Sequence, residues 1–71
     1  STSVRLVITG NSFASPSQIA LTGFGANAIT GNAMNGATID TSPTSGLNSI
    51  TGNTECGTIT FAATDAVGLN T

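Results

Sequence analysis

The chain has 71 residues with a single cation, Arg5, and three acids, Asp40, Glu55 and Asp65, so only 6% of its residues are charged and the net charge is −2. Proteins typically carry about 25% charged residues, and contact with nucleic-acid phosphates takes several lysines or arginines, so nucleic acid is excluded as a partner. There is no histidine and only one cysteine, Cys56, which also excludes a structural zinc site and a disulfide within the chain.

The small size of the chain makes it a marginal domain on its own. A chain of about 60 to 70 residues buries only about 60% of the surface that its unfolded form exposes. Small folds therefore usually depend on disulfides, a metal ion or neighbouring chains. Because the first two are excluded, we expect association with copies of itself or with neighbouring structural subunits.

Catalytic chemistry is not expected. The chain contains many serine and threonine hydroxyls but neither histidine nor lysine to activate one of them as a nucleophile. Three scattered acids are typical of ordinary turn and surface positions. We therefore predict no enzyme activity and no catalytic, cofactor-binding or metal-binding residues. No apolar stretch reaches the roughly 18 residues that a membrane-spanning helix needs.

A repeat organises the sequence. The tetrapeptide Ile-Thr-Gly-Asn occurs three times at intervals of 21 residues. The copies are Ile8-Thr9-Gly10-Asn11, Ile29-Thr30-Gly31-Asn32 and Ile50-Thr51-Gly52-Asn53. A Gly-x-Asn tripeptide precedes the second and third copies, and Gly68-Leu69-Asn70 is predicted to begin a fourth. The sequence thus predicts one β-rich domain, residues 1–71, built from three repeats of about 21 residues.

Short β-prone stretches recur along the chain, and each contains one isoleucine. In chain order they are Val4 to Thr9, Gln18 to Phe24, Ala26 to Thr30, Ala37 to Thr41, Leu47 to Thr51 and Gly57 to Ala62. Turn formers separate them, and Asn35-Gly36 is predicted to form a two-residue hairpin turn because both positions tolerate positive φ. Regular short strands punctuated by Gly, Pro and Asn are typical of an all-β fold.

Two architectures fit this pattern. In the first, the six strands form a small antiparallel meander that closes into a sandwich or barrel. In the second, each repeat is one coil of a β-solenoid, so that equivalent residues stack. Asn11, Asn32 and Asn53 would then form a ladder of side-chain amides at the turns, a known stabiliser of stacked strands. Both architectures leave strand edges open, so we expect neighbouring subunits to complete them.

One segment matches a nucleotide-binding pattern. Residues 23–28 read Gly-Phe-Gly-Ala-Asn-Ala, which fits Gly-x-Gly-x-x-Gly/Ala after a predicted strand. A dinucleotide fold requires a helix to follow, but residues 29–36 contain two glycines and two asparagines and are poor helix formers. We therefore interpret these glycines as turn residues.

The pattern Gly-x-Asn-[Ala/Ser]-Ile-Thr-Gly-Asn, which covers most of residues 25–71, resembles the repeats of extracellular β-solenoid and amyloid-type fibre subunits such as curli subunits. The resemblance implies Gly and Asn at the turns, a stacked amide ladder and a fibre outside the cell. Residues 15–23 separately resemble a late strand of bacterial immunoglobulin-like surface domains.

From these observations we expect a structural subunit of an ordered extracellular assembly, such as a filament, pilus-like fibre or sheath. Two alternatives remain open at this point. One is a small capsid-associated or decoration protein of a virus, and the other is an adhesin or surface-binding fragment. All three place the protein outside the cell or on a cell or virion surface.

Overall fold

The computed structural model describes residues 6–71, and within them the regular secondary structure consists of seven short strands and no helix. The strands are β1 (Val7–Thr9), β2 (Gln18–Ala20), β3 (Ala28–Thr30), β4 (Thr38–Asp40), β5 (Ser49–Thr51), β6 (Ile59–Thr60) and β7 (Ala66–Val67). The predicted all-β repeat fold is confirmed. Each of the six predicted stretches contains a strand. The first stretch begins at Val4, and both Val4 and Arg5 lie outside the described residues.

The strands form two parallel sheets. The four-stranded sheet has the order β1-β3-β5-β7, and the three-stranded sheet has the order β2-β4-β6. The chain alternates between the sheets, so each coil contributes one strand to each, and the whole is a β-solenoid of about three coils. We call the end that carries β1 and β2 the N-terminal end of the stack, and the end that carries β6 and β7 its C-terminal end.

The alternative prediction of an antiparallel meander is wrong, because every strand pair in the described part of the chain is parallel. Asn35 and Gly36 do adopt positive φ, at 50° and 88°, and the Ala37 N–H closes this turn on the Met34 carbonyl at 2.9 Å. The turn nevertheless joins β3 to β4, which belong to different sheets. It is therefore a corner of the solenoid and not a hairpin.

Parallel pairing places like residues on like residues, which explains why the repeat favours this arrangement. Ile8, Ile29 and Ile50 stack in register, followed by Val67, and Ile19, Ile39 and Ile59 do the same in the other sheet. The two rows meet between the sheets, where Ile29, Ile39 and Ile50 are completely buried. The core thus consists of two rows of isoleucines together with the fully buried Met34 and Ala37. Of the isoleucines that end a row, Ile19 is buried, whereas Ile8 and Ile59 are only partly buried.

Each residue of the Ile-Thr-Gly-Asn tetrapeptide has one structural role. The isoleucine points into the core, and the threonine, one position later on the strand, lies on the outer face. The glycine has φ of 68°, 64° and 69° at Gly10, Gly31 and Gly52, a left-handed conformation that costs least without a side chain. That turn directs the following asparagine inwards, where Asn32 and Asn53 are only 1% exposed.

The prediction that Gly68-Leu69-Asn70 begins a fourth copy is wrong. β7 pairs with β5 in a register that matches Ser49 to Ala66, an offset of 17 residues instead of 21. The turn before β7 is shorter than its counterparts, and it closes with a hydrogen bond from the Asp65 N–H to the Ala62 carbonyl at 3.0 Å. As a result Asp65 takes the position above Asn48, and Asn70 stacks on Asn53.

Candidate functional site

The three asparagines of the tetrapeptides lie in one row, and Asn70 extends it. The Asn32 side-chain amide donates to Asn53 Oδ1 at 2.8 Å, and the Asn53 amide donates to Asn70 Oδ1 at the same distance. The Asn11 amide is 3.4 Å from Asn32 Oδ1. Asn11, Asn32, Asn53 and Asn70 are called the first ladder below.

The first ladder also hydrogen-bonds the backbone around it. Oδ1 of Asn32, Asn53 and Asn70 each accepts a second bond, from the backbone N–H of the preceding rung, at 3.1 Å. The second hydrogen of each inner amide goes to a strand carbonyl of the preceding coil, from Asn32 to Ile8 at 2.9 Å and from Asn53 to Ile29 at 3.0 Å. An inner rung therefore makes four hydrogen bonds through its side chain.

A second ladder lies at the opposite end of the same strands, and the sequence reasoning did not identify it. Both the backbone N–H and the side-chain amide of Asn27 donate to Asn48 Oδ1 at 2.9 Å. Asn48 donates in the same way to Asp65 Oδ1, at 3.0 and 2.8 Å. The Gly-x-Asn tripeptides could have predicted this second ladder, because Asn27 and Asn48 are 21 residues apart, like successive asparagines of the Ile-Thr-Gly-Asn tetrapeptides. The repeat does not predict the position of Asp65 in this ladder, because Asp65 follows Asn48 by 17 residues and not by 21.

Asp65 ends the second ladder with a carboxylate in place of an amide. Its Oδ2 accepts from the Thr41 hydroxyl at 2.6 Å and from the Ala62 N–H at 2.9 Å. Burial alone would raise the pKa of Asp65, but these donors and the two donated by Asn48 together hold the pKa below its ordinary value. The carboxylate thus closes the C-terminal end of the ladder with every bond directed inwards.

This arrangement predicts that acid destabilises the fold through Asp65. Because the folded-state pKa is depressed, the contribution of the ionised carboxylate is complete above the unfolded aspartate pKa of about 3.9 and disappears as the pH falls through the lower folded value. The free energy of unfolding, measured by chemical denaturation, should therefore fall as the pH is lowered from about 5 to below about 3.9.

The free energy of unfolding of the Asp65→Asn variant should fall less over the same pH interval, because the side chain at position 65 no longer titrates. Glu55→Gln is the matched control, since it removes one acid outside this network and should retain most of the loss. An Asp65→Asn protein with the same pH dependence as the unmodified protein would contradict the role assigned to Asp65.

Both ends of the stack expose apolar side chains. At the N-terminal end Leu6 and Phe24 are 44% and 46% exposed, and together with Leu21 they line a shallow pocket above Asn27. At the C-terminal end Phe61 and Leu69 are 50% and 89% exposed. In the part of the chain that the structure describes, the isoleucine rows also end in side chains that are only partly buried, with Ile8 at the N-terminal end and Ile59 and Val67 at the C-terminal end.

The structure does not assemble the remaining candidate residues into a site. Asp40 accepts hydrogen bonds from its neighbour Ser42 on the surface, and Glu55 lies in an exposed turn with φ of 52°. In residues 6–71 no group of three or more His, Cys, Asp or Glu side chains lies close enough to hold a metal ion. Residues 23–27 of the segment 23–28 lie in the connection between β2 and β3, and Ala28 is the first residue of β3.

Cys56 packs against the edge of the core, and burial raises the pKa of its thiol. Cysteine attacks and binds metals as the thiolate, so this environment disfavours reactivity. Its backbone N–H donates to the Thr71 carbonyl at 2.7 Å. The position is therefore best explained by packing.

No protein-family profile, no curated protein and no solved structure matches the chain. Over the part that the structure describes, no helix has the length and apolar character needed to cross a membrane. The ladders and the two open ends are consequently the features on which a functional proposal can rest.

Proposed function

We propose that this protein is a structural subunit of an ordered extracellular assembly, such as a filament, pilus-like fibre or sheath, and that it acts through self-association of its β-strands and not through catalysis. The observation that carries the proposal is the absence of a cap on either end of the described stack. Solenoid repeats stay soluble as single molecules when terminal repeats present a polar outer face. Here the terminal coils present Leu6, Phe24, Phe61 and Leu69.

Open strand edges support the same proposal. Among residues 6–71, each of the four terminal strands has a paired neighbour on one side only; these strands are β1 and β2 at one end and β6 and β7 at the other. Natural proteins protect such edges with charged residues, prolines or covering segments. The whole chain has one cation, three acids and two prolines, so little charge is available to keep copies apart.

The polar side chains buried inside the stack, by contrast, have their hydrogen-bonding groups paired. In residues 6–71 no buried side-chain nitrogen or oxygen lacks a hydrogen-bond partner. Apart from Leu47, which is 70% exposed beside the inner strand β5, the exposed large apolar side chains therefore lie in the same terminal coils as the open strand edges. Addition of a further parallel β-coil would cover both kinds of surface at once.

Electron microscopy of the purified protein tests the proposal directly. Ordered filaments or sheets that become more abundant with protein concentration are the expected result. Dispersed particles of monomer size at every concentration would overturn it. A protein that remains monomeric but binds to cells or to virus particles would instead favour the adhesin or capsid-associated alternative.

A further inference from the structure

The first ladder has a direction. Asn11, Asn32 and Asn53 each direct their backbone N–H and side-chain amide to Oδ1 of the asparagine in the next coil. The N-terminal end of the ladder therefore presents an acceptor, and the C-terminal end presents a donor. Within residues 6–71 no group donates to Asn11 Oδ1, and the Asn70 backbone N–H has no acceptor.

The strand edges carry the same polarity and fit each other. The N–H groups of Ala66 in β7 and of Gly68 directly after it donate inwards, to the carbonyls of Asn48 and Ile50 respectively. Because successive backbone groups of a strand point to opposite sides, the Val67 N–H points away from the stack. In the same way Leu6 directs its backbone groups inwards, to Asn27 and Ala28, so the Val7 N–H points away at the other end.

From these two observations we infer that the partner of each end is a second copy of this chain, stacked head to tail, with β1 of one copy on β7 of the other and Asn70 of one donating to Asn11 of the next. The inference rests on the proposed function and adds the polarity and the register of the assembly. Head-to-head stacking would place Asn11 acceptors against each other, and tail-to-tail stacking would oppose the Asn70 donors.

The second ladder is compatible with this junction. Asp65 has no side-chain donor when ionised, and its backbone N–H is already bonded to Ala62. At the opposite end the ladder position is occupied by Leu6, which lies against the apolar pocket. No donor of the second ladder is left without an acceptor when Leu6 of one copy follows Asp65 of another.

The register sets the axial spacing of the assembly. The sheet β1-β3-β5-β7 has four strand levels, so each copy should advance the stack by about 19 Å at a strand spacing of about 4.8 Å. A copy turned by half a rotation would place β1 on β6 and advance by about 17 Å, but its Asn11 would then lie away from Asn70. The ladder thus favours the unrotated arrangement, in which β1 pairs with β7 but β2 of the next copy lies two strand spacings from β6, so that these two edges stay unpaired.

Two proline variants test the polarity. Val7→Pro removes the outward N–H at the N-terminal end, where the Val7 side chain is 68% exposed, and Val67→Pro removes its counterpart at the C-terminal end. Proline is tolerated in edge strands at positions whose N–H is not bonded within the sheet. Val7→Thr and Val67→Thr, which keep the N–H, are the matched controls and should associate like the unmodified protein.

The expected result in analytical ultracentrifugation is that each proline variant alone is monomeric, whereas an equimolar mixture forms dimers and nothing larger. Dimers of either variant alone would overturn head-to-tail stacking and leave the proposed function intact, and monomers in the mixture would overturn the junction itself. If the unmodified protein does not associate, the proposed function fails first.

Circular dichroism verifies that each variant keeps the β-spectrum of the unmodified protein. Should either proline variant lose it, a folded domain fused before Ser1 or after Thr71 blocks the same end sterically and leads to the same expectations. As a separate measurement, Asn11→Ala should weaken association of otherwise unmodified chains about tenfold, because it deletes the acceptor at the junction. Unchanged association would contradict the contact between Asn70 and Asn11.

Discussion

Replacement of Asn32 by alanine is expected to lower the free energy of unfolding by about 3 kcal/mol, because it removes an inner rung of the first ladder. The Asn32 side chain is 1% exposed and bonds to Asn53, Ile8 and Asn11. Its loss removes the acceptor of the Asn11 N–H and one donor to the Ile8 carbonyl. The buried Oδ1 of Asn53 also loses one of its two donors and keeps only the Asn32 N–H. A buried group without a partner costs about 1 to 3 kcal/mol.

Asn11→Ala is the matched control, since Asn11 has the same position in its tetrapeptide but is exposed in the terminal coil. It should cost the folded monomer well under about 1 kcal/mol. Denaturation curves should be recorded below the concentration at which copies associate, because association adds to apparent stability. Equal effects of the two substitutions would contradict the ladder as a source of stability.

Replacement of Ile29 by alanine is the second large effect we expect, with a loss of about 3 kcal/mol from the free energy of unfolding. Ile29 is completely buried between Ile8 and Ile50 in the central isoleucine row. Truncation removes apolar contacts and leaves a cavity between two coils that the backbone hydrogen bonds hold at fixed spacing. A domain of this size has only about 5 kcal/mol to lose.

Val7→Ala provides the comparison for Ile29, because Val7 lies on a paired strand of the same sheet with its side chain 68% exposed. It should change the midpoint of thermal unfolding little, whereas Ile29→Ala should lower it by more than 10 °C. Equal midpoints of thermal unfolding for the two variants would contradict the central role of Ile29 in the core.

The two rows and the two ladders together explain how a short chain without disulfides can form a defined structure. Each additional coil covers the isoleucine of the coil before it and supplies an acceptor to the asparagine below. Stability in such a stack is approximately a sum over neighbouring coils. Among the described residues the first and last coils have a neighbour on one side only, so association with another copy would stabilise them most.

Much of this architecture was predictable from the repeat. The recurrence of Ile8, Ile29 and Ile50 predicts strands, and the glycine after each threonine predicts a turn with positive φ. The spacing of Asn11, Asn32 and Asn53 predicts a ladder if the coils stack. The direction of pairing was not predictable, because Asn35-Gly36 adopts the same local turn in a solenoid corner as in a hairpin.

Other features depend on contacts that a regular repeat does not encode. The short turn before β7 shifts the register by four residues, from an offset of 21 to one of 17, so Asp65 replaces the expected asparagine. Only the stacked structure shows that Asp65 accepts from Asn48, Thr41 and Ala62. The polarity of the ladder follows from the same contacts, since it depends on which amide donates to which oxygen.

Sedimentation velocity over a concentration series at neutral pH tests most directly whether copies of this protein complete one another. We predict that the weight-average sedimentation coefficient rises steadily with concentration, as chains add to the open ends of the stack. A single species with the mass of one chain, 6.9 kDa, from micromolar to millimolar concentration would contradict the account.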